Sequence, residues 1–593
     1  MERREATVVT TSSTGSGDQP RNPRSPDGEQ SAKHKGKAAL SRYLPPVQWL
    51  GAYQAGWLAS DLVAGVTLAA YAIPVSLAYA GLAGLPPQVG IYGYLLGGLG
   101  YALLGSSRQL AIGPTSAISL MIAGTVGGMA NGDAEHYAQI ASLAGFTVAL
   151  LCLIAWCLRL SVLVRLISDS ILVGFKAGAG LTIIMTQLPS LFGVPGGGNN
   201  FFERAAVIVG QFGQINYLVL AIAVVATLAL LLGERFFPGR PFALGVVALG
   251  IIMASLFGFP ALGVPTTGKI PEGLPNITGP ALRLRDIDGI FPLAAGCLLL
   301  AYIESISAAR TFAAKHGYEL DPSQEFMGIG AANLAAALGH GYPVAGGLSQ
   351  TAVNDKAGAR TPLSLVFASV TLAICLLFLT GLLSNLPKAV LAAVVLTAVL
   401  GLIDVRALHR MWRISKTDFY AAAIALFAVL LLGILQGILL AALASVLIML
   451  ARASQPHVAF LGRIPGTNSY SDMARHPEND KLSNAIVFRP EASLLYVNAE
   501  SVLSSVLERL RESGASDVRM VICDLSASPY MDLAGSRILR QLHDELAHRG
   551  IVLRIIGARG RVRDLLRADG VGELVGGLDR VTTLDDLLGG APN

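Results

Sequence analysis

The stretch 294–362, AAGCLLLAYIESISAARTFAAKHGYELDPSQEFMGIGAANLAAALGHGYPVAGGLSQTAVNDKAGARTP, decides how this chain is read. Apolar helical material surrounds one carboxylate, Glu304, with no cation in the same apolar run. Further on, the small-residue segment PVAGGLSQTAV (343–353) breaks the helical pattern where a membrane midplane is expected. A carboxylate at that depth is costly and marks function by default. Non-helical backbone there is tolerated only inside protein or beside a cavity. Interrupted segments of this kind point to the binding site of a carrier.

Composition supports a membrane setting. The 593 residues are 53% hydrophobic and only 14% charged, with a mean hydropathy of +0.57, whereas soluble domains carry about a quarter charged residues. A net charge of +5 is too mild to argue for nucleic acid. Cys152, Cys157, Cys297, Cys375 and Cys523 lie in apolar runs without metal-ligand spacing and read as buried free thiols. Residues 1–45 are polar, rich in Ser, Gly, Pro, Lys and Arg and without an apolar signal core, so they read as a disordered cytoplasmic tail.

Residues 46–453 read as a transmembrane domain of fourteen segments, about 20 residues being the usual span. The expected spans are 59–80, 88–105, 112–129, 137–158, 170–190, 215–233, 241–257, 292–313, 323–339, 346–357, 362–383, 387–402, 418–433 and 435–452. Lys and Arg in short loops set orientation. The even-numbered connections carry Arg108, Arg159, Arg165, Arg235, Arg240, Arg310, Lys315, Lys356, Arg360, Arg406, Arg410, Arg413 and Lys416. The odd-numbered ones carry only Arg204, Lys269, Arg283, Arg285 and Lys388. This asymmetry places both termini in the cytoplasm of a multi-pass protein of the inner (plasma) membrane.

Fourteen segments suggest two sevens. RQLAIGPTSAISLMIAG near residue 113 and HGYPVAGGLSQTAVNDKAG near residue 347 share a plan: a short extended stretch, Gly-Pro or Gly-Gly, then Ser or Thr opening a helix. An odd number of segments per repeat inverts the second half relative to the first. The third and tenth segments then start near the midplane with their helix N-termini facing each other. A helix N-terminus attracts anions through free N–H groups and its dipole, so the pair can hold a small anion without Lys or Arg. The candidate binding residues are Gly113, Thr115, Ser116 and Ala117 with Gly347, Leu348, Ser349, Gln350 and Thr351. The competing reading is a packing seam of small residues.

Glu304 is the candidate group for coupling to H+ or Na+; the alternative is a structural acid bonded to a nearby carbonyl. Arg310 is too far along the helix for an i,i+4 pair, which leaves Glu304 a free carboxylate. After Arg452 the composition changes. Residues 454–481 read as a linker, and 482–593 alternate strand-like and helix-like runs, as in a small sheet covered by helices. No phosphate loop, metal cluster or nucleophile–His pair supports an enzyme, and no cofactor is called for.

The chain resembles the sulfate permease (SulP) family, relatives of the pendrin and prestin anion exchangers. The resemblance is carried by DLVAGVTLAAYAIPVSLAYAGLAGLPPQVGIY (61–92), GSSRQLAIGPTSAISL (105–120), ESISAARTFAAKHGYELDPSQEFMGIGAAN (304–333), GGLSQTAVNDKAGARTP (346–362) and LGRIPGTNSYSDMARHPE (461–478). The C-terminal part resembles a STAS domain. The resemblance implies a polytopic α-helical fold of two inverted seven-segment repeats with core and gate domains moving as an elevator. It also implies a homodimer, a substrate anion between the third and tenth segments, and Pro74, Val75 and Tyr79 lining the first.

Three departures stand out. Val75 occupies the position where many relatives carry Gln or Glu, a Glu that has been linked to proton coupling, so the burden moves to Glu304. Ser349-Gln350-Thr351 replaces the Ser-Arg-Ser common in eukaryotic members, leaving neutral donors and dipoles. The STAS loop Asp532-Leu533-Ala534-Gly535 lacks the phosphorylatable Ser after Asp, although Ser536 follows. The expected activity is secondary active uptake of a small oxyanion, sulfate first, with proton symport. The alternatives are sodium-coupled bicarbonate or dicarboxylate transport, or an uncoupled anion channel or exchanger.

Overall fold

Two dipeptides of extended backbone lie among the membrane helices: β1 (Ile112–Gly113) and β2 (Ala345–Gly346). They pair antiparallel, Ile112 opposite Gly346 and Gly113 opposite Ala345, and all four residues are buried. Broken backbone away from water must find partners within the protein, and here each break supplies part of the other's. The antiparallel sense is what two inverted repeats deliver. Asn333 extends the arrangement: its side-chain amide donates to the carbonyls of Ile329 and Val344, and its Oδ1 accepts from Val344 N at 2.9 Å.

The computed structural model describes residues 49–588 except 52, 131, 161–167, 199, 237–241, 269, 281–286 and 513–517. The expected tail 1–45 lies outside the described residues, as do Arg165, Arg240, Lys269, Arg283 and Arg285. The helices α1 (Trp57–Leu82), α2 (Pro87–Leu104), α3 (Ser116–Ala130), α4 (Ala134–Cys157) and α5 (Asp169–Phe192) are followed by a short α6 (Phe201–Gly210). Next come α7 (Tyr217–Phe236), α8 (Phe242–Phe257), α9 (Ile287–His316), α10 (Pro322–Leu338), α11 (Leu348–Lys356) and α12 (Leu363–Phe378). The series ends with α13 (Lys388–Leu400), a short α14 (Val405–Ile414), α15 (Lys416–Leu432) and α16 (Ile434–Ser454). Among the described residues, seven helical stretches are long and apolar enough to cross a membrane alone; α3, α8 and α12 are shorter apolar helices.

Each expected span falls on one of these elements. Local chemistry sets several ends: Asp133 caps α4 by accepting from Glu135 and His136 amides, and Asp321 caps α10 through Ser323 and Gln324. The short helices α6 and α14 were not foreseen. The first and second halves of the membrane domain interlock, with α10 packed on α2 and α4, α12 on α1 and α2, and α9 on α4. A second set joins α13 to α7 and α8, and Gly174 of α5 meets the Ala422 backbone of α15. All five cysteines are free; Cys157 is exposed, contrary to expectation, because it ends α4.

Asp61 and Glu325, carboxylates with no exposed surface, escaped the sequence reading, and both are caged. Asp61 accepts from Arg360 N, Thr361 N, the Thr361 hydroxyl at 2.7 Å and the Tyr53 hydroxyl. Glu325 accepts from the Tyr101 hydroxyl and from both N and Oγ of Ser106. These acids tie connections to helices and have no free face.

The C-terminal unit holds a five-stranded sheet ordered β4-β3-β5-β6-β7. Its strands are β3 (Val458–Arg463), β4 (Tyr470–Asp472), β5 (Ala485–Pro490), β6 (Met520–Asp524) and β7 (Val552–Ile556). The helices α17 (Ala499–Glu512), α18 (Leu533–Ala547) and α19 (Gly560–Ala568) accompany it. Phe488, Leu510, Val521, Leu539, Leu546 and Leu553 lie in the core between sheet and helices. The expected linker 454–481 is corrected here: it supplies β3 and β4. Its Pro465, Gly466 and Asn468 form the turn of a hairpin whose strand residues Ala459 and Leu461 are buried against the sheet. Asp532 caps α18 by accepting from Gly535 N, and the buried Ser536 hydroxyl donates to Asp569.

The strand pair tolerates no side chain at its first half. A Cβ on Gly113 would sit 2.2 Å from the Tyr94 ring, itself fully buried. Gly113→Val is expected to destabilise the detergent-purified protein by about 1–3 kcal/mol through overpacking. The measurement is a denaturation midpoint beside wild type, and an unchanged midpoint would show that the strand pair is not rigid.

Candidate binding site between two helix starts

Beyond each strand the chain turns immediately into a helix. Pro114 and Thr115 lead from β1 into α3, whose first residue is Ser116; Gly347 leads from β2 into α11 at Leu348. First-turn amides have no carbonyl partner inside their own helix, and Gly347 brings no side-chain cap to α11. Both helix starts open on one cavity of about 170 Å³. That is more than ten times the roughly 10–15 Å³ that one water requires.

The cavity is lined by Thr115, Ser116, Gly347, Leu348, Ser349 and Gln350 from the two breaks, with Glu304 and Ser307 from α9. Val75 and Tyr79 line it from α1 together with Tyr71. The remaining expected residues stand behind this wall. Gly113 is held under Tyr94, and Ala117 is buried in α3. Pro74 is buried within α1. Thr351 is fully buried, its hydroxyl donating to the Gly347 carbonyl at 2.7 Å and accepting from Ala111 N. Nearness in sequence to a helix start does not decide direction: successive helical residues point about 100° apart.

The donors are of unequal availability. Ser349 is exposed to the cavity, whereas the Gln350 amide already donates to the Ala345 carbonyl at 3.2 Å. Thr115 Oγ1 is buried and directed toward the Glu304 carboxylate, short of a fully formed hydrogen bond. Ser305, next to Glu304, uses its hydroxyl to accept from Gly346 N at 2.7 Å, fixing α9 against β2. Glu304 is thereby held beside the second break by its neighbour.

Sequence reasoning missed Lys176. It stands within α5, inside an expected span, and lines the same cavity as Glu304, with which it interacts electrostatically. The expectation of a cradle without a cation is corrected by this residue, as is that of Glu304 as an isolated charge. The signal was available: a lone Lys in the apolar run FKAGAGL calls for the treatment given to Glu304. What the sequence lacks is the packing of α5 that brings the two together. No ion pair within 4.0 Å forms between Lys176 and Glu304 among the described residues. Room therefore remains for a charged guest between fixed dipoles, hydroxyls and one ammonium group.

A larger cavity of about 620 Å³ lies along the C-terminal ends of α1 and α5 and the start of α13, with Arg204 and Lys388 on its wall. It shares no lining residue with the smaller one. Two spaces, each with basic groups, thus flank the same stretch of α1.

Comparison with known proteins agrees with this architecture. The profile described as "Sulfate permease family" matches residues 58–425, and that of the STAS domain residues 476–585. A probable sulfate transporter of Mycobacterium tuberculosis is 35% identical, covering 90% of this chain and 95% of that protein. A chloroplastic sulfate transporter of Arabidopsis thaliana is 30% identical over 91% of this chain and 81% of its own length. The murine Solute Carrier 26 family member A9 anion transporter, solved in an inward-facing state, superposes with a TM-score of 0.83 at 21% identity. That match covers 93% of this chain and 94% of the other. The transmembrane domain of a cyanobacterium bicarbonate transporter has a TM-score of 0.58 at 22% identity, covering 66% of this chain and 98% of its own. With its broken segments paired in a membrane-helical fold ahead of a STAS domain, the chain belongs to the sulfate permease family.

Proposed function

We propose that this protein is a secondary active transporter of a small inorganic oxyanion, sulfate, driven by proton symport. The observation that carries the reading is the convergence of two helix starts, Lys176 and Glu304 on one cavity. Relatives named as sulfate transporters support the choice of cargo. The walls support the mode of movement. Tyr71, Thr115, Glu304 and Ser349 come from the interlocked helices of segments 1–4 and 8–11, while Lys176, Ala398 and Leu402 come from segments 5 and 12. An elevator-type shift of the first group past the second would carry the anion from one side to the other. A homodimer, a plasma-membrane location and cytoplasmic termini belong to the same proposal, the last supported by the loop asymmetry of Lys and Arg.

Charge arithmetic explains the coupling. Lys176 and ionised Glu304 sum to zero, so a bound dianion leaves the site at −2. A proton on Glu304 brings the total to −1. Net charge in a poorly solvated site is costly, so anion and proton each favour the other's binding, as linkage requires. The sign follows: acid on the side of uptake raises occupancy by both, and neutral pH on the far side releases both.

Glu304→Gln is expected to bind sulfate but to lose the acceleration of radiolabelled uptake by an acid-outside gradient in proteoliposomes. Gradient-driven uptake equal to wild type would make Glu304 structural. The same assay in sodium gradients, with bicarbonate and succinate as competitors, separates the sulfate reading from its alternatives. Lys176→Met removes a charged contact of roughly 1.5–3 kcal/mol, so the sulfate dissociation constant is expected to rise about 10- to 150-fold. Calorimetric titration in detergent checks this, and unchanged affinity would place the anion away from α5.

A further inference from the structure

The connection between α13 and α15 is a helix. α14 is capped by Asp404, whose carboxylate accepts from Ala407 N at 2.9 Å. Its sequence, VRALHRMWRI, divides by helical spacing. Ala407, Leu408 and Met411 are half-buried, whereas Arg406, His409, Arg410 and Arg413 are exposed. These four, with Val405 and Ile414 at the ends, line an open groove of about 490 Å³ that has no carboxylate on its wall. Arg406, Arg410 and Arg413 form no ion pair among the described residues. Three guanidinium groups gathered on one face repel one another unless an anion lies between them.

A second, independent feature says which anion. Trp412 meets Phe419 edge-on with ring centroids 4.8 Å apart, and Tyr420 continues the aromatic group. Lys416 Nζ lies 3.3 Å from the centre of the Trp412 ring. From Tyr420 the exposed residues Ile424, Phe427 and Leu431 follow at helical spacing along one face of α15. An aromatic cluster at the start of an apolar, outward-facing stripe marks where acyl chains end and headgroups begin. The basic groove therefore lies next to the headgroup end of a lipid-facing helix.

We propose that the α14 groove seats the phosphate of an anionic phospholipid whose acyl chains lie along Tyr420, Ile424, Phe427 and Leu431. Arginine forks match phosphate oxygens in pairs, and a short amphipathic helix with a basic face is suited to the membrane surface. The orientation proposed above assigns the site to the cytoplasmic leaflet; the seating does not depend on it. A soluble anion or an acidic polypeptide would satisfy the arginines but leaves the aromatic cluster and apolar stripe without a role.

The test uses the full chain purified in detergent doped with equal phosphatidylglycerol and phosphatidylcholine, with retained lipid counted by native mass spectrometry. Wild type is expected to keep phosphatidylglycerol preferentially. Each arginine contributes roughly a factor of five beside an anionic lipid, so R406Q/R410Q/R413Q should lose about a hundredfold in affinity at low salt. R406K/R410K/R413K, which keeps the charge but not the paired fork, should retain less phosphatidylglycerol than wild type and more than the Gln variant. If the triple Gln variant does not fold, R410Q alone should lose about fivefold. Equal retention by wild type and the Gln variant overturns the proposal. So does a wild type that keeps no phosphatidylglycerol, as it would with an acidic polypeptide over the groove. A parallel arm offers inorganic phosphate in phosphatidylcholine alone. A loss of phosphate binding in the Gln variant as large as its loss of lipid would make the groove a soluble-anion site and overturn the lipid assignment.

Discussion

The membrane domain depends on one constraint: backbone N–H and C=O groups removed from water must be paired within the protein. Two helices break at depth, which would strand such groups, and the antiparallel contact of Ile112–Gly113 with Ala345–Gly346, with the side chains of Ser305, Asn333 and Thr351, pairs them. The solution has a by-product. Once the strands are satisfied, the next amides along the chain open two helices whose first turns face a cavity. Positive helix ends are fixed there by the same register that closes the break. The scaffold and the proposed anion cradle share one origin.

A comparison of three acids shows what separates structural charge from a candidate coupling group. Asp61 and Glu325 are fully buried, and each accepts three or more hydrogen bonds from hydroxyls and amides of distant connections. Burial of a carboxylate so completely bonded is tolerable and rigidifies the helices it joins. Glu304 instead faces a cavity beside Lys176, with a single Thr hydroxyl pointed toward it. The coupling role proposed for it rests on this opening to the cavity. The difference lies in partners, since all three belong to membrane-domain helices.

Much of this was legible in the sequence. Apolar length located the spans, and the shared plan around Gly113 and Gly347 exposed the paired breaks; the period change after Leu482 located the STAS helices and strands. What escaped was whatever depends on direction or convergence. Lys176 sits among apolar residues of α5 and meets Glu304 only through tertiary packing. Pro74, Gly113, Ala117 and Thr351 lie beside cavity residues in sequence but are buried behind the cavity wall. The strands β3 and β4 were masked by the polar turn between them, and α14 by having its arginines counted as loop charge instead of laid on a helix. That last oversight hid an amphipathic pattern only ten residues long.

The central claim is that the transported anion rests between the two helix starts. Selenate, a heavier tetrahedral analogue of sulfate, reports its own position by anomalous scattering at the selenium edge from crystals of the full chain. The account predicts one peak within hydrogen-bonding reach of the Ser116 and Ser349 amides and on the same side as Lys176. A peak confined to the larger cavity beside Arg204 and Lys388, with none between the helix starts, would contradict it.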